Sequence, residues 1–459
     1  MTGNPEKLKL CFIGGGSRKW AWVFMKDLCL EKGIAGVISL YDLDPEAARA
    51  NEVIGNRLMA AQGGGWVFRA EPDAEKALEG SDFVIISILP GSFEDMAIDV
   101  HAPEQYGIYQ AVGDTVGPGG FIRALRTIPL YEEIAKAIEK WAPSAWVINY
   151  TNPMSVCTRT LYRVFPRIKA FGCCHEVFST QELLAKMLAH FGLCAAASRE
   201  DIITNVVGIN HFTWIDKASW KGFDLFPLYA RFVGEFAESG YSGYQDERAK
   251  RLAPWFLCRE RVKMDLFRRY GLIAAAGDRH LAEFCPPRWY LKNPEMAKSW
   301  GYALTPVSWR KEEREDLIRQ SQAYRDGTET MQPERSGEEG IRQIRALLGM
   351  GGLVTNVNLP NRGQMPGFPA DAVVETNAVF GRDSVQPVLN STLPNALRNL
   401  ILQHAENQEG IVEAALQRDR EAAFRVFMND NAVRELSPDD ARTLFNHMTE
   451  KTLSRGNNF

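Results

Sequence analysis

The sequence predicts an α/β fold, with an N-terminal doubly wound, Rossmann-like parallel sheet followed by a C-terminal α+β domain. Apolar strands and amphipathic helices alternate through the first third of the chain, as in LKLCFIGGG, PEAARANEVIGNRLMAA and DFVIISIL. Strands separated by helices pair in parallel and carry helices on both faces of the sheet. Near residue 200 the pattern changes, because IITNVVGINHFTWIDKASW alternates like antiparallel strands. We therefore predict one domain over residues 1–195 and a second over 196–459.

The individual elements follow from local patterns. The first strand runs into glycines, Pro45 opens a helix where no backbone N–H is needed, and AWVINYTNPM is typical of a buried strand. The segment IRALRTIPLYEEIAKAIEKWAP predicts a long amphipathic helix, and ALRNLILQHAENQEGIVEAALQRDREAAFRVFMND predicts successive helices. Glycine, proline and charge in YRDGTETMQPERSGEEG predict an exposed connecting segment.

The composition of the chain indicates which classes of partner the protein binds and in which cellular compartment it is found. The 459 residues carry a net charge of -4, which provides no strong electrostatic attraction to nucleic acid or to an anionic membrane. The longest apolar runs have strand length, well below the roughly 20 residues that a membrane helix needs. No secretion signal opens the chain, and six of its eight cysteines are dispersed singly. We expect a cytoplasmic protein whose partners are small molecules.

A glycine triplet predicts a dinucleotide site. Gly14, Gly15 and Gly16 follow the first strand and precede a helix, where glycine lets the backbone approach a pyrophosphate. Asp42 ends the next strand, where an acid binds the adenosine ribose and favours NAD over NADP. Lys19 stands where the usual motif has its third glycine, so a simple structural turn is the alternative.

The chain contains two adjacent cysteines, in AFGCCHEV. Consecutive strand residues face opposite ways, so one of Cys173 and Cys174 belongs to the core and the other is free to bind a metal. His211, in GINHFTW, is the nearest plausible second ligand. A cysteine and a histidine with open positions suit a divalent ion that also coordinates substrate oxygens. A buried thiol and a hydrogen-bonded histidine remain the alternatives.

Further polar segments stand where loops leave apolar strands. They are AVGDTVGPGG, NYTNPM, AAAGDRHLAEF and NVNLPNRGQ. Loops on a rigid scaffold are where sites are built, so together with the glycine triplet these segments predict one active-site rim.

These segments resemble the family 4 glycoside hydrolases. FIGGGS, GDTVGPGG, NYTNPMSV, GCCHE, GINHFTW and GDRHLAEF carry the resemblance, which runs over essentially the whole chain. INYTNPMSVCTR, GCCHEVF and AAAGDRHLAEF are most similar to the bacterial α-galacturonidase branch. This family is an NAD-dependent exception to two-carboxylate glycoside hydrolysis.

The resemblance implies a mechanism and its cofactors. Members use NAD, regenerated in every turnover, and a divalent metal, usually Mn²⁺. NAD oxidises C3 of the sugar, a base then removes the acidified C2 proton, and the C1 oxygen leaves by elimination. Water adds at C1 and the hydride returns. The first domain would then bind NAD, and the second would serve catalysis, substrate binding and assembly into a homodimer or homotetramer.

The resemblance also implies roles for individual residues. Gly14, Gly15, Gly16, Ser17 and Asp42 would bind NAD, and Cys174 and His211 would be the metal ligands. His175 would be the general acid, since histidine titrates near neutrality. Asp278 would be the C2 base, with Tyr241 and Tyr244 as alternative bases. The non-catalytic alternative for Asp278 is an ion pair with the adjacent Arg279. Asn152 would bind substrate.

A galacturonide substrate requires a partner for its carboxylate, for which Arg279 and His280 are the candidates. His175 stands where members acting on phosphorylated sugars usually have asparagine or aspartate, which argues against a 6-phospho-glycosidase. An α-glucosidase is another alternative within the family. A 2-hydroxy acid dehydrogenase, which predicts net NADH formation without a metal, and a non-catalytic dinucleotide sensor are alternatives of other classes.

Overall fold

The computed structural model describes residues 6–241, 254–256 and 258–453. Its larger sheet has nine strands in the order β3-β2-β1-β4-β5-β6-β11-β12-β13. The strands of this sheet are β1 (Glu6–Ile13), β2 (Ile34–Tyr41), β3 (Trp66–Ala70), β4 (Phe83–Ile86), β5 (Trp146–Asn149), β6 (Lys169–Gly172), β11 (Leu353–Pro360), β12 (Val373–Gly381) and β13 (Ser384–Pro387). The first six are parallel, which confirms the predicted Rossmann-like sheet.

The last three strands of this sheet come from the C-terminal half of the chain. Strand β11 joins β6 in antiparallel fashion at Asn358 and Gly172, and β12 and β13 extend the sheet further. The largest core cluster accordingly contains side chains from both halves, such as Phe12, Phe171 and Phe380. The sequence did not predict this continuation, and the division at residue 195 remains a prediction.

A smaller antiparallel sheet supports the second half. It consists of β7 (Ile202–Ile209), β8 (Phe212–Trp220), β9 (Phe223–Asp224) and β10 (Ile273–Ala274). The predicted antiparallel pair is confirmed in β7 and β8, which pair from Ile202 with Trp220 to Ile209 with Phe212. This register leaves a two-residue turn at Asn210 and His211.

Helices cover both faces of the larger sheet and build the rest of the second half. They are α1 (Trp20–Leu30), α2 (Pro45–Gln62), α3 (Ala74–Leu78), α4 (Phe93–His101), α5 (Gly117–Trp141), α6 (Met154–Val164), α7 (Glu176–His190), α8 (Phe226–Phe236), α9 (Arg261–Tyr270), α10 (Asp278–Phe284), α11 (Pro287–Tyr290), α12 (Pro294–Ser299), α13 (Val307–Asp326), α14 (Gly340–Leu347), α15 (Asn395–Gln417), α16 (Arg420–Phe427) and α17 (Pro438–Thr452). Among the described residues, no helix combines the length and apolar character that spanning a bilayer requires.

The predicted exposed segment between α13 and α14 is exposed only in part. Its middle is open to solvent, but Met331 and Glu339 are buried at 4% and 2% exposure. The Ser336 N–H donates to Asp27 at 2.8 Å, which ties the segment to α1. Buried contacts to distant residues outweigh the polar, glycine-rich composition that predicted a free linker.

Candidate active site

The predicted site residues lie at the carboxyl ends of the parallel strands. Gly14 follows β1, Asp42 follows β2, Asn152 follows β5 and Cys174 follows β6. Ligands of doubly wound sheets bind along this edge, where the loops leave the strands. The β7–β8 turn brings His211 to the same cleft, because His211 interacts with Thr115 and His280 there.

Three side chains form a compact cluster that could hold a metal ion. The ligand atoms of Asp114, His211 and His280 all lie within 4.8 Å of one another. The two imidazole rings lie 3.9 Å apart, and Thr115 Oγ1 lies 3.0 Å from His211 Nδ1. His211 adopts a φ of 64°, a conformation that non-glycine residues adopt mainly in turns and at functional sites.

Burial and mutual charge interactions shift the pKa values of His211 and Asp114 in this cluster. Burial, reinforced by the neighbouring His280, lowers the pKa of His211 to about 3, so its imidazole is neutral and able to bind a metal. Burial would raise the pKa of the Asp114 carboxyl, but the imidazoles of His211 and His280 outweigh it and hold that pKa below its usual range. The cluster thus contains an ionised carboxylate and a neutral imidazole.

The two adjacent cysteines follow the end of β6 and have different neighbours. Cys173 belongs to the largest core cluster, where Gln343 Nε2 donates to its sulfur at 3.6 Å. Burial raises the pKa of the Cys174 thiol, as does the nearby Glu375, whereas a hydrogen bond from Asn210 lowers it. Asn210 precedes His211 in the turn, so Cys174 lies on the side of the cleft that carries this histidine.

His175 stands half-exposed at the mouth of the cleft. Its Nδ1 lies 3.3 Å from Glu338 Oε1, and its ring packs 6.0 Å from that of Trp20. Desolvation lowers the pKa of His175, but the hydrogen bond and charge of Glu338 overcome it and raise that pKa to about 9. The imidazole therefore carries a proton at neutral pH, although solvent screens part of this effect.

Asp278 is fully buried at the start of α10 and belongs to a separate charged group. Its Oδ1 accepts the Lys263 N–H at 3.1 Å, and Lys263 Nζ lies 2.6 Å from Glu260 Oε2. Burial and the charge of Glu260 raise the pKa of the Asp278 carboxyl above its usual range. Asp278 Oδ2 has no hydrogen-bond partner among the described residues. A carboxyl in this environment is a stronger base than an exposed one.

Arg279 turns away from Asp278, so the ion pair offered as a structural explanation for that aspartate is not formed between these described residues. Arg279 Nη2 donates to the Ala111 carbonyl at 2.6 Å and also to Thr305 Oγ1. These bonds fix the loop that carries Asp114. His280 belongs to the cluster with Asp114 and His211.

The remaining residues considered as the base lie elsewhere. Tyr241 packs in an aromatic group, with its ring 4.8 Å from Phe232 and 5.0 Å from Phe236. Burial raises the pKa of Tyr241, which makes it a weaker acid. Tyr244 lies outside the described residues.

The glycine loop, Gly14 to Gly16, packs closely against Leu40 in β2 and Ser87 just after β4. A Cβ on Gly14, whose φ is 91°, would lie 2.0 Å from the Ser87 carbonyl oxygen, and one on Gly15 would lie 2.7 Å from Leu40 Cβ. Only glycine fits these two positions, because backbone and buried side-chain atoms occupy the space. The loop is therefore held close to the sheet at the N-terminus of α1, where an anion is favoured.

Ser17 and Asp42 already have partners in this loop. Ser17 Oγ accepts the Trp20 N–H at 3.1 Å, and Asp42 Oδ2 accepts the Gly16 N–H at 2.8 Å. Asn51 donates to the carbonyls of Gly15 and Ser17 at 2.8 and 3.0 Å. These contacts order the loop, and the Asp42 carboxyl oxygens keep acceptor capacity for a further donor.

Sequence reasoning missed three residues of this site: Asp114, Glu338 and Asn51. Asp114 stands in GDTVGPGG, a segment predicted to belong to the rim without a role for its individual residues. Glu338 came from the segment predicted to be exposed, so only its charge was visible. Asn51 lies inside a helical pattern, where a buried amide gives no periodic signal.

Several buried polar atoms around the cluster have no hydrogen-bond partner among the described residues. They are Asn152 Oδ1, Asn210 Oδ1, Arg279 Nε, His280 Nδ1 and Glu283 Oε2. Buried polar atoms are nearly always paired in native proteins. The residues that carry these atoms contact or adjoin the cluster and the loop of Asp114, which is the arrangement expected around a site for a polar ligand.

Comparison with known proteins identifies the family. The model of the family 4 glycosyl hydrolases matches residues 9–190, and the model of their C-terminal domain matches residues 206–433. An α-galacturonidase of Thermoanaerobacter italicus is 55% identical over 444 residues, which cover 96% of each chain. An α-galacturonidase of Bacillus subtilis is 50% identical and covers 97% of each chain.

Among solved structures, a 6-phospho-α-glucosidase from gut microorganisms, in complex with NAD and Mn²⁺, has a TM-score of 0.83 at 18% identity. It covers 98% of this chain and 99% of its own. At this identity the likeness concerns the fold alone. The two family models, by contrast, together match most of the sequence. The chain belongs to family 4 of the glycosyl hydrolases.

Proposed function

We propose that this enzyme hydrolyses α-galacturonides by the route of C3 oxidation, C2 deprotonation, elimination and water addition. The observation that carries the proposal is the 55% identity, over 96% of both chains, to a protein named α-galacturonidase. An α-glucosidase or 6-phospho-glycosidase has weaker support, because the α-glucosidase and the maltose-6'-phosphate glucosidase among the relatives are each 26% identical. The family assignment disfavours a 2-hydroxy acid dehydrogenase.

The residues present fit the two cofactors that this route requires. NAD would lie over Gly14, Gly15, Gly16 and Ser17, with Asp42 on its ribose, since the loop leaves no room for side chains at its first two glycines. When bound, the nicotinamide supplies a reversible hydride acceptor, and the divalent cation supplies positive charge to substrate oxygens.

The metal, Mn²⁺ or another divalent transition ion, would be held by Cys174 and His211. His211 is neutral, as a ligand must be, and it shares a compact arrangement of donor atoms with Asp114 and His280. Cys174 is not part of that arrangement among the described residues. Thr115 fixes the His211 ring through its Nδ1, so the orientation of this imidazole is set before binding.

His175 acts as the general acid in this proposal. The negative charge of Glu338 keeps a proton on its imidazole, and the half-exposed position at the cleft mouth suits transfer to a departing glycosidic oxygen. The same ring can later accept a proton from the water that adds at C1.

Asp278 acts as the base at C2. Its unpartnered Oδ2 and raised pKa favour acceptance of a proton, and the Lys263 N–H fixes the other oxygen. Asn152, Arg279 and His280 contact substrate oxygens, since each has an unpartnered polar atom in the cleft.

We also propose that the enzyme is cytoplasmic and assembles as a homodimer or homotetramer. Support for the first comes from its cysteines, all of which are free thiols in the structure. Size-exclusion chromatography with light scattering measures the second, and a monomer at micromolar concentration would contradict it.

The function is tested with p-nitrophenyl α-galacturonide and purified enzyme stripped of metal and nucleotide. Release of nitrophenol is expected only when both NAD and Mn²⁺ are added, and absorbance at the NADH band should not accumulate. Hydrolysis without NAD would contradict the proposed route. Net NADH formation from 2-hydroxy acids, without glycoside cleavage, would instead favour the dehydrogenase.

A further inference from the structure

Arg123 is a buried arginine whose guanidinium forms only one hydrogen bond within the described structure. It lies in the second turn of α5 and is 6% exposed. Its Nε donates to the Asn152 carbonyl at 3.1 Å, whereas Nη1 and Nη2 have no hydrogen-bond partner among the described residues. Neither Nη atom is among the fully buried unpartnered atoms, so both keep some accessible surface at which a ligand could bind.

Arg126 and Arg279 differ from Arg123 in which guanidinium nitrogens are already engaged in hydrogen bonds. Arg126, one turn further along α5, binds both carboxylate oxygens of Asp99 and the Pro90 carbonyl, so all three of its nitrogens are engaged. Arg279 uses Nη2 for Ala111 and Thr305. A carboxylate binds two adjacent nitrogens, either Nη1 with Nη2 or Nε with Nη2, so Arg279 offers neither pair.

Arg123 adjoins the active site through Asn152. The carbonyl of Asn152 accepts from Arg123, while its Nδ2 donates to Asp114 Oδ2 at 3.2 Å. Asp114 in turn belongs to the cluster with His211 and His280. The free Nη edge of Arg123 is thus one residue away from the groups that would surround the sugar.

We propose that Nη1 and Nη2 of Arg123 bind the C5 carboxylate of the uronide as a bidentate pair and so determine the preference for an acidic sugar. This rests on the proposed function, which it deepens by assigning the carboxylate to Arg123 rather than to Arg279 or His280. Arg123 is fixed by its Nε bond before substrate enters, so little side-chain freedom is lost on binding.

The test compares two substrates that differ only at C5. Wild type and Arg123→Gln are assayed with p-nitrophenyl α-galacturonide and with p-nitrophenyl α-galactoside, whose hydroxymethyl group replaces the carboxylate. The ratio of kcat/KM for the two substrates is expected to fall by about 100-fold in the variant, the scale of a lost charged hydrogen-bond pair. Activity on the galactoside should fall by a much smaller factor, which reflects only the lost Nε bond to Asn152.

Arg279→Gln is the matched comparison. It is expected to lower kcat/KM for both substrates by similar factors, because Arg279 holds the loop that carries Asp114. Equal losses on both substrates in Arg123→Gln, or a ratio that changes only in Arg279→Gln, would overturn the assignment. Circular dichroism melting curves show whether each variant is folded.

Calorimetric binding of D-galacturonate and D-galactose separates this proposal from the proposed function. Arg123→Gln should lose affinity for galacturonate at least tenfold more than for galactose; equal changes would refute the role of Arg123. If wild type bound galacturonate but did not cleave galacturonides, the proposed function would fail while the carboxylate site would stand. If wild type preferred galactose to galacturonate, the carboxylate site would fail as well.

Discussion

At the scale of residues, charge partners distinguish the histidines of the cleft. His175 lies beside Glu338, which favours the protonated ring, whereas buried His211 is neutral. The proton donor and the metal ligand of the proposed mechanism are therefore separated by environment rather than by residue type. In the proposed mechanism, Glu338 is a positioning residue for the general acid His175.

Replacing Glu338 by Gln should move the alkaline limb of the kcat profile to lower pH. The acid must be protonated, so activity falls as the pH rises through its pKa, which is about 9 with Glu338 present and moves toward the ordinary 6.5 without it. Steady-state rates from pH 5 to 10 measure the shift. Glu334→Gln, an exposed change in the same segment, is the control, and an unmoved limb in Glu338→Gln would contradict this role.

The adjacent cysteines provide a matched pair of variants. Cys174→Ser should weaken Mn²⁺ binding by at least about 100-fold and abolish most activity, because the proposed thiolate ligand is lost. Cys173→Ala should retain metal binding and cost about 1 kcal/mol of stability, since it removes a buried core atom. Titration followed by electron paramagnetic resonance measures both affinities. Similar metal affinity in the two variants would exclude Cys174 as a ligand.

Part of the site was predictable at this scale. Strand alternation predicted different surroundings for Cys173 and Cys174, and the two side chains do have different neighbours, Gln343 for Cys173 and Asn210 for Cys174. Asp114 and Glu338 were not predictable, because their significance depends on contacts with His211 and His175 from distant segments. Neither contact leaves a local sequence pattern.

At the scale of elements, the glycine loop depends on close approach between the first two strands and β4. Gly14→Ala would place a methyl group 2.0 Å from the Ser87 carbonyl oxygen, in a backbone region unfavourable for alanine. We expect NAD affinity to fall by at least about tenfold, which a strain of ~1.4 kcal/mol would produce. Isothermal titration measures the dissociation constant.

Gly352→Ala is the control for this variant. An added Cβ at Gly352 meets no atom within 4 Å, so its NAD affinity should equal that of wild type. An unchanged dissociation constant in Gly14→Ala would mean that the loop does not hold the dinucleotide.

Most strands and helices of the first half were predictable, because each has a strong local pattern. Strand β3 was missed, since its five residues include an exposed valine and an arginine. The predicted helix begins only at IRALRT, whereas α5 begins at Gly117, because Gly117, Gly119 and Gly120 are poor helix formers. Contacts with the loop of residues 110–115 explain these glycines, since a Cβ on Gly119 or Gly120 would strike backbone atoms there.

At the scale of the whole molecule, the two halves share one sheet and one large core cluster. Side chains from β1 and β6 pack with others from α14 and β12, so neither half buries its apolar surface alone. Such continuity could not be predicted, because the pairing of β11 with β6 joins segments that are distant in sequence. The position of the site at the strand ends, by contrast, followed from the parallel topology.

Unfolding should therefore be cooperative. Differential scanning calorimetry of the full chain is expected to show a single transition, since loss of either half exposes the core of the other. Two transitions separated by several degrees would instead indicate domains that are stable independently, as the predicted division at residue 195 would allow.

Hydrolysis of an α-galacturonide in D₂O, followed by proton nuclear magnetic resonance of the released galacturonate, tests the central claim most directly. The proposed C2 deprotonation predicts solvent deuterium at C2 of the product from wild type, and no turnover by Asp278→Asn. Hydrolysis that leaves C2 fully protonated would contradict the elimination route and the role of Asp278 together.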